Sequence, residues 1–257
     1  GQVEVNSLAV APSRSHLYSS GDDGSLACFK LPDGELVWRC KAFEAERAYD
    51  MAYDLGRSRI FCISHLGTLA AVDASSGERV EKWNSPKTDG ACLALINEDT
   101  IVVGTNHGKL VFVDANAGEV LFEHELGPYQ KVSSLAFDKK LNRLFIAIGY
   151  SLIVFDVSKR QVVGSLATPD QAISVFHEDS SNTYMVAMTS GVIHRYRIGD
   201  ENEIQVVDGW VNDATRLFAI TTSPDDKHVL TLDANGEVRR WQTKSEVKRS
   251  MFATEDT

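Results

Sequence analysis

The chain has 257 residues, 43% of them apolar, and a formal net charge of −10. That is enough for a sizeable core, and the acidic balance argues against general electrostatic binding to nucleic acid or anionic lipid. No stretch approaches the roughly 20 uninterrupted apolar residues of a membrane helix. No basic segment followed by a hydrophobic one marks a secretory signal, so an intracellular location is expected, cytoplasmic with the nucleus as the alternative. The chain starts at Gly1 and is expected to be part of a longer protein.

One pattern recurs along the chain. Apolar runs that follow a turn stand at Leu26–Lys30, Leu69–Asp73, Leu110–Asp114, Leu152–Asp156, Ile193–Arg197 and Val238–Gln242. The period is about 42 residues, and strand-sized runs at that period predict propeller blades of four strands each. The fold class expected is therefore all-β: a six-bladed β-propeller, each blade a four-stranded antiparallel meander. It should form a single domain over 1–257, with repeats at 5–43, 47–86, 89–128, 131–169, 171–211 and 214–253.

The third repeat shows the plan. Leu93-Ala94-Leu95 opens it, a polar turn follows, and Ile101–Gly104 is β-branched. Asn106-His107-Gly108 forms a tight turn before Leu110–Asp114, and a Gly118 turn leads to the outermost strand at Val120–Phe122. The innermost strand places alanine between two larger apolar residues at Ala9, Ala52, Ala94, Ala136 and Ala219. Crowding near a central axis favours such small side chains. The fifth copy reads Val175-Phe176-His177, which marks either a register slip or an irregular blade. Only Phe43–Met51 has the pattern of a helical turn. Gln2–Val5 could supply a short strand that closes the ring.

Chemistry-bearing residues form no reactive constellation in the sequence. The four cysteines Cys28, Cys40, Cys62 and Cys92 read as free thiols without metal spacing. His65 and His107 occupy equivalent turns and could face one rim, yet no third ligand accompanies them. The acidic turns at Asp22-Asp23, Asp200–Glu203 and Asp225-Asp226 lack calcium-loop spacing and read as Asx turns. The basic stretch Arg239, Arg240, Lys244, Lys248 and Arg249 reads as a solvated blade rim. No nucleophile elbow or phosphate loop is present. No catalytic residue, metal or cofactor is expected, and the chain reads as a non-enzyme.

These repeats resemble the WD-repeat and quinoprotein-like propeller families. The WD-like features are Ser20–Leu26, Ser223–Asp226, and the strand ends Val72-Asp73, Val113-Asp114 and Phe155-Asp156, which stand where that family has Trp-Asp. Trp241 is in place but Gln242 follows it, and the family's Gly-His pair is absent. The resemblance thus implies blades held by apolar packing without the family's polar network. Leu69–Trp83 and Leu110–Phe122 look like the quinoprotein pattern in which a Gly turn and a late aromatic dock neighbouring blades.

In such families partner-facing residues lie in the second-to-third-strand turns and in the loops leading to the innermost strands. By that resemblance the turns offer His65, Leu66, Asn106, His107 and Tyr150. The lead-in loops offer Arg47, Tyr49, Tyr129, Lys131, Trp210 and Arg216, aromatic and arginine residues being common interface anchors. The expected function is a non-catalytic docking platform: a monomeric propeller that binds other proteins in a larger complex, without nucleic acid or membrane. The alternatives are a small-ligand sensor or enzyme using the central channel, and an open propeller completed by a strand or blade from a partner.

Overall fold

The structure is a computed structural model that describes residues 4–11, 13, 15–84, 86–127, 130–178, 181–199, 202–211, 216–222, 228–233, 235 and 237–242. Its described elements are all strands, arranged as six small antiparallel sheets. The chain divides into two compact units, Gly1–Val132 and Ser133–Thr257. The first contains β1 (Val5–Val10), β2 (His16–Gly21), β3 (Ser25–Lys30) and β4 (Glu35–Lys41) in one sheet. Its second sheet is β5 (Ala48–Asp54), β6 (Arg59–Ser64) and β7 (Leu69–Asp73). The third is β8 (Gly90–Asn97), β9 (Thr100–Thr105), β10 (Lys109–Asp114) and β11 (Val120–Glu125).

The fourth sheet, whose first residue ends the first unit and whose remainder opens the second, is β12 (Val132–Asp138), β13 (Arg143–Ile148), β14 (Ser151–Asp156) and β15 (Gln161–Ala167). Next come β16 (Ala172–Glu178), β17 (Thr183–Met188), β18 (Val192–Ile198) and β19 (Ile204–Val211). The last sheet is β20 (Leu217–Thr222), β21 (His228–Asp233) and β22 (Val238–Gln242). Every sheet is a meander in chain order, and the six sheets are the six blades that the repeat predicts.

The blades differ from the expected four strands in two places. The last has three described strands, and its expected fourth lies outside the described residues. In the second blade the ladder ends early. Val80 still donates to the Ala71 carbonyl, but the Trp83 amide donates back to Val80 at 3.1 Å. That turn carries the chain off the sheet, and Asn84 donates to Ala117 in the next blade. The helical turn expected over Phe43–Met51 does not form either. Ala48 and Met51 are buried between blades, and this burial holds Ala48–Asp54 as a strand.

Alternation within a strand sends successive side chains to opposite faces. In β6, Ile60 and Cys62 pack toward the first blade, while Phe61 and Ile63 pack toward the third. Both faces are buried, which makes the central strands read as continuous apolar runs. The inner-strand alanines belong to the same layers: Ala9, Ala52 and Ala136 pack against neighbouring sheets. The crowding that favours alanine is thus pressure from an adjacent sheet. In the fifth blade the register is unchanged, since Val175 pairs with Val186 as Met51 pairs with Cys62. Phe176 simply occupies the alanine position.

Polar links stitch the innermost strands at one repeated position that the sequence reading missed. The Asp50 carboxylate on β5 accepts from the Ser7 hydroxyl of β1 at 3.0 Å, and from the amides of Met51 at 2.8 Å and Leu93 of β8 at 3.0 Å. At the matching position in the third repeat the Cys92 thiol donates to the Val132 carbonyl at 3.5 Å. In the fourth, the Ser134 hydroxyl accepts from the Val175 amide at 3.1 Å.

Tryptophans make a second kind of link. Trp38 donates its indole N–H to the Ala74 carbonyl at 3.1 Å, and Trp83 does the same to Ala115 at 3.1 Å. Each ring lies over the glycine three residues past that acceptor. A Cβ on Gly77 would sit 2.8 Å from Trp38, and one on Gly118 would sit 2.8 Å from Trp83. Their φ angles of +76° also demand glycine. Trp83 thus docks as the Leu69–Trp83 pattern implies. Phe122, at the end of the Leu110–Phe122 pattern, stacks on Phe112 of its own sheet at 4.0 Å.

Two outcomes test these links. Trp83→Ala leaves a cavity beside Phe61 and should cost about 3–5 kcal/mol in urea unfolding followed by circular dichroism, whereas Val37→Ala on an exposed outer strand should stay within about 0.5 kcal/mol. Asp50 is held above the usual carboxylate range by burial, which outweighs its hydrogen bonds. Its native state therefore binds a proton more tightly than the unfolded chain, and stability falls as pH rises from about 4 through the raised native value. Asp50→Asn removes that slope, so the variant should gain stability relative to the parent between pH 4 and pH 8; a difference that does not vary with pH contradicts the assignment.

Candidate functional site

The candidate rim is built where each lead-in loop crosses the turn between the second and third strands of its blade. The turn before β7 shows why the sequence folds this way. Gly67 has φ +81°, and a Cβ there would lie 2.3 Å from the Asp89 backbone nitrogen. Only glycine lets the incoming loop lie directly on the turn. Thr88 then donates to the Gly67 carbonyl at 2.8 Å, and the loop is fixed before any partner arrives.

Within the first unit this arrangement holds several of the expected residues together. The Arg47 amide donates to Nδ1 of His65 at 3.1 Å, and the His65 amide donates back to the Arg47 carbonyl at 3.0 Å. His65 therefore presents Nδ1 as an acceptor and leaves its Nε2–H facing outward. The Arg47 guanidinium is exposed and lies 3.3 Å from Asp22. In the next repeat the Asn106 amide and side chain both donate to the Asp89 carbonyl at 3.1 Å, and His107 Nδ1 pairs with the Asp89 carboxylate. The two imidazoles sit in equivalent turns, as expected, but are held in opposite ways.

Tyr49 lies on β5 and Lys131 immediately before β12. The Lys131 ammonium donates to the Tyr49 hydroxyl at 3.3 Å and stands 5.1 Å from the ring centre. Such a cation–aromatic contact contributes about 0.5–1 kcal/mol at an exposed site. It keeps a positive charge and an aromatic face side by side in solvent. Leu66 is exposed in the turn beside His65.

In the second unit Tyr150 is exposed in the turn between β13 and β14, and its carbonyl accepts from Thr168 at 2.9 Å. Arg216 is exposed immediately before β20. Trp210 corrects an expectation. It lies on the outermost strand β19, opposite Ile193, and packs on the cluster that includes Leu217 and Val229. The Arg195 guanidinium covers its ring at 5.8 Å. Its place on β19, with the ring half-buried against that cluster, removes it from the lead-in loops. Tyr129 lies outside the described residues, as do Gln2, Val3, Ser223–Asp226 and the basic residues Lys244, Lys248 and Arg249.

Acidic residues just ahead of the innermost strands went unnoticed in the sequence. Glu46 accepts from the hydroxyls of Ser64 and, at 3.2 Å, Thr68. These bonds, the Ser64 one foremost, hold its carboxyl below the usual range against the opposing effect of burial. Asp170 accepts from Thr189 Oγ1 at 2.9 Å and from the amides of Ser190 at 2.6 Å and Gln171 at 2.7 Å. Burial pushes its carboxyl up, but those bonds outweigh it and the net shift is downward. The available signal was an acidic residue one or two places before each inner strand at Glu46, Asp89 and Asp170. All four cysteines are free, three of them buried. Burial pushes the thiols of Cys62 and Cys92 well up, so they are poor thiolates in any compartment. Among the described residues no group of three histidine, cysteine or acidic side chains could hold a metal ion, and no helix is long and apolar enough to cross a membrane.

The family model described as outer membrane protein assembly factor BamB matches residues 3–243. The chain belongs to that family. A curated relative, the outer membrane protein assembly factor BamB of Kangiella koreensis, is 29% identical over 132 residues, which is 49% of this chain and 31% of that protein. The match thus spans about a third of the relative's length. Among solved structures, a chain of the mitotic checkpoint complex superposes with a TM-score of 0.82 at 14% identity, covering 93% of this chain and 74% of that one. The propeller domain of Myceliophteria thermophila Cps50 (Swd1) gives 0.80 at 11% identity, covering 94% and 83%. These likenesses show the six-bladed propeller fold. The relative's name ties that protein to an outer membrane, so the expected intracellular location draws no support from it.

The Glu46 clip has a measurable signature. A carboxyl held low stabilises the fold at pH values above its unfolded value of about 4.3, and that contribution fades as pH falls through the native value. Glu46→Gln should lower the urea midpoint at pH 7 and converge with the parent by pH 3. Equal gaps at both pH values exclude the clip.

Proposed function

We propose that the chain is a non-catalytic docking platform within a protein assembly, and that partners bind the rim of its first unit through Arg47, Tyr49, His65, His107 and Lys131. The observation that carries this reading is the fixed rim. Charged, aromatic and imidazole groups project from loops clamped by backbone bonds on both sides, so little conformational entropy is lost when a partner docks. The family supports it through its name, an assembly factor, and one structural neighbour was solved within a multiprotein complex. The WD-like features fit the same reading, because the docking role belongs to loops that either propeller type can carry. The free thiols do not decide the compartment, and the outer-membrane context of the relative is the better guide to it.

The test uses partners recovered by affinity purification of the full-length protein from its native source. A combined Arg47→Ala, Tyr49→Ala and His107→Ala variant should bind the main recovered partner about 100-fold more weakly. Its urea midpoint should stay near the parent value, since all three side chains are exposed. Undiminished binding defeats the assignment of the rim.

A further inference from the structure

At the end away from the Tyr150 turn, the fourth blade closes in two turns that touch. One joins β12 to β13 and the other joins β14 to β15. The Val157 amide of the second donates to the Asn142 carbonyl of the first at 3.2 Å. Arg143, Asp156 and Gln161 stand opposite one another across the strands that border these turns, so the two turns form one surface. They read Asp138-Lys139-Lys140-Leu141-Asn142-Arg143 and Asp156-Val157-Ser158-Lys159-Arg160, with five basic residues against two acidic ones in a chain of net charge −10.

Both carboxylates are turned inward. Asp138 is fully buried and accepts from the amides of Lys140 at 2.8 Å and Leu141 at 3.0 Å, and from the Tyr184 hydroxyl at 2.8 Å. Asp156 is buried too, and accepts from the Ser158 hydroxyl at 2.8 Å and the Lys159 amide at 2.9 Å. The charge left facing solvent is positive. Lys139, Lys140, Lys159 and Arg160 are exposed. Among the described residues the Lys139 and Lys140 ammonium groups pair with no carboxylate, and Lys159 stands 3.9 Å from Asp156. Nε of Arg143 is buried and has no hydrogen-bond partner.

The fold does not ask for these cations. The same aspartate turn forms in the second blade, where Asp54 accepts from Gly56 and Arg57, and in the third, where Asp114 accepts from Asn116 and Ala117. Arg57 is folded back onto Asp54 and Asp99 at 2.9 and 2.6 Å, whereas its counterpart in the fourth blade is Leu141, which is 37% exposed. Arg160 stands at φ +53° where Gly77 and Gly118 stand at +76°, a backbone region that disfavours any side chain. An arginine held there points to use rather than to folding.

The surroundings narrow what binds. Leu141 and Val162 are exposed beside the cations, and a ligand with apolar side chains covers them where a bare phosphate does not. The fifth blade packs on the fourth, with Tyr184 stacked on Phe145 at 4.3 Å. Its connections after β16 and β18 read Glu178-Asp179-Ser180-Ser181-Asn182 and Gly199-Asp200-Glu201-Asn202-Glu203, with five acidic residues and no basic one. A nucleic acid duplex or an anionic bilayer extends beyond one blade and is repelled by a chain of this charge, whereas a single extended peptide follows the cations alone.

We infer that the two turns of the fourth blade bind an acidic segment of a partner polypeptide, with its carboxylates on Lys139, Lys140, Lys159 and Arg160 and an apolar side chain on Leu141. Contacts of this kind steer association and weaken with salt. No rim residue of the first unit takes part, and neither assignment depends on the other.

The experiment places p-benzoyl-phenylalanine at Leu141 in the full-length protein, irradiates intact source cells, and maps the adduct by mass spectrometry. The expected adduct falls on another polypeptide, in a stretch where Asp and Glu outnumber Lys and Arg around an apolar residue. That stretch, made as a fluorescent synthetic peptide, should bind the full-length protein in anisotropy, more weakly at higher salt and at least about tenfold more weakly with Lys140→Glu. Arg160→Gly is the second variant should Lys140→Glu fail to fold. It should also weaken the peptide while leaving the urea midpoint no lower, because glycine suits that backbone. The Arg47, Tyr49 and His107 variant should bind the peptide as the parent does. The inference is overturned by an adduct on nucleic acid or lipid, by one on a segment without acidic excess, by peptide binding indifferent to both turn variants, or by no adduct.

Discussion

A sheet of three or four short strands with apolar side chains on both faces cannot stand alone in water. Each large side chain that it buries is worth about 1.5–3 kcal/mol, and the fold realises that gain only if another sheet lies against each face. Everything in this chain answers that demand. Ile60 and Cys62 look one way, Phe61 and Ile63 the other, and the repeat supplies the covering sheets at fixed intervals. The central strands are continuous apolar runs because neither face meets water.

Apolar cover is non-directional, so it does not by itself set how two sheets align. The polar and aromatic links do that. Asp50 ties three consecutive inner strands through one carboxylate, and the two tryptophan seats pin the first blade to the second and the second to the third, each through one carbonyl and one glycine. A link at each end of a blade fixes its angle to the next. The buried carboxylate illustrates the cost of such specificity: held above its usual range, it opposes folding at neutral pH while specifying the alignment.

The period, the third strands and the inner-strand alanines were legible because they express apolar spacing, which a sequence displays directly. Phe176 was visible as an exception, but only its pairing with Met185 could show that the register is regular there and that a large ring takes the alanine position. Trp210 misled for a related reason. A tryptophan near a turn reads as a docking anchor until its strand is known to turn it under Arg195. Glu46, Asp89 and Asp170 were missed because a hydrogen bond to a neighbouring turn leaves no hydrophobic trace, and acidic residues near turns are too common to stand out singly. Tyr49 and Lys131 are separated by 82 residues, and no local pattern could join them.

The same glycines that close the fold also shape what its loops can offer. Gly67 brings a whole lead-in loop within van der Waals reach of a turn, and the loop's backbone groups are then spent on that turn. Only side chains remain free to meet a partner, on a frame that moves little. Such a rim gains affinity through pre-organisation and specificity through the choice of a few residues per repeat. Substitutions there are nearly free of folding cost, whereas the seats and inner strands tolerate few. That division lets one blade plan persist while the rim residues differ from repeat to repeat, as His65 and His107 already do within this chain.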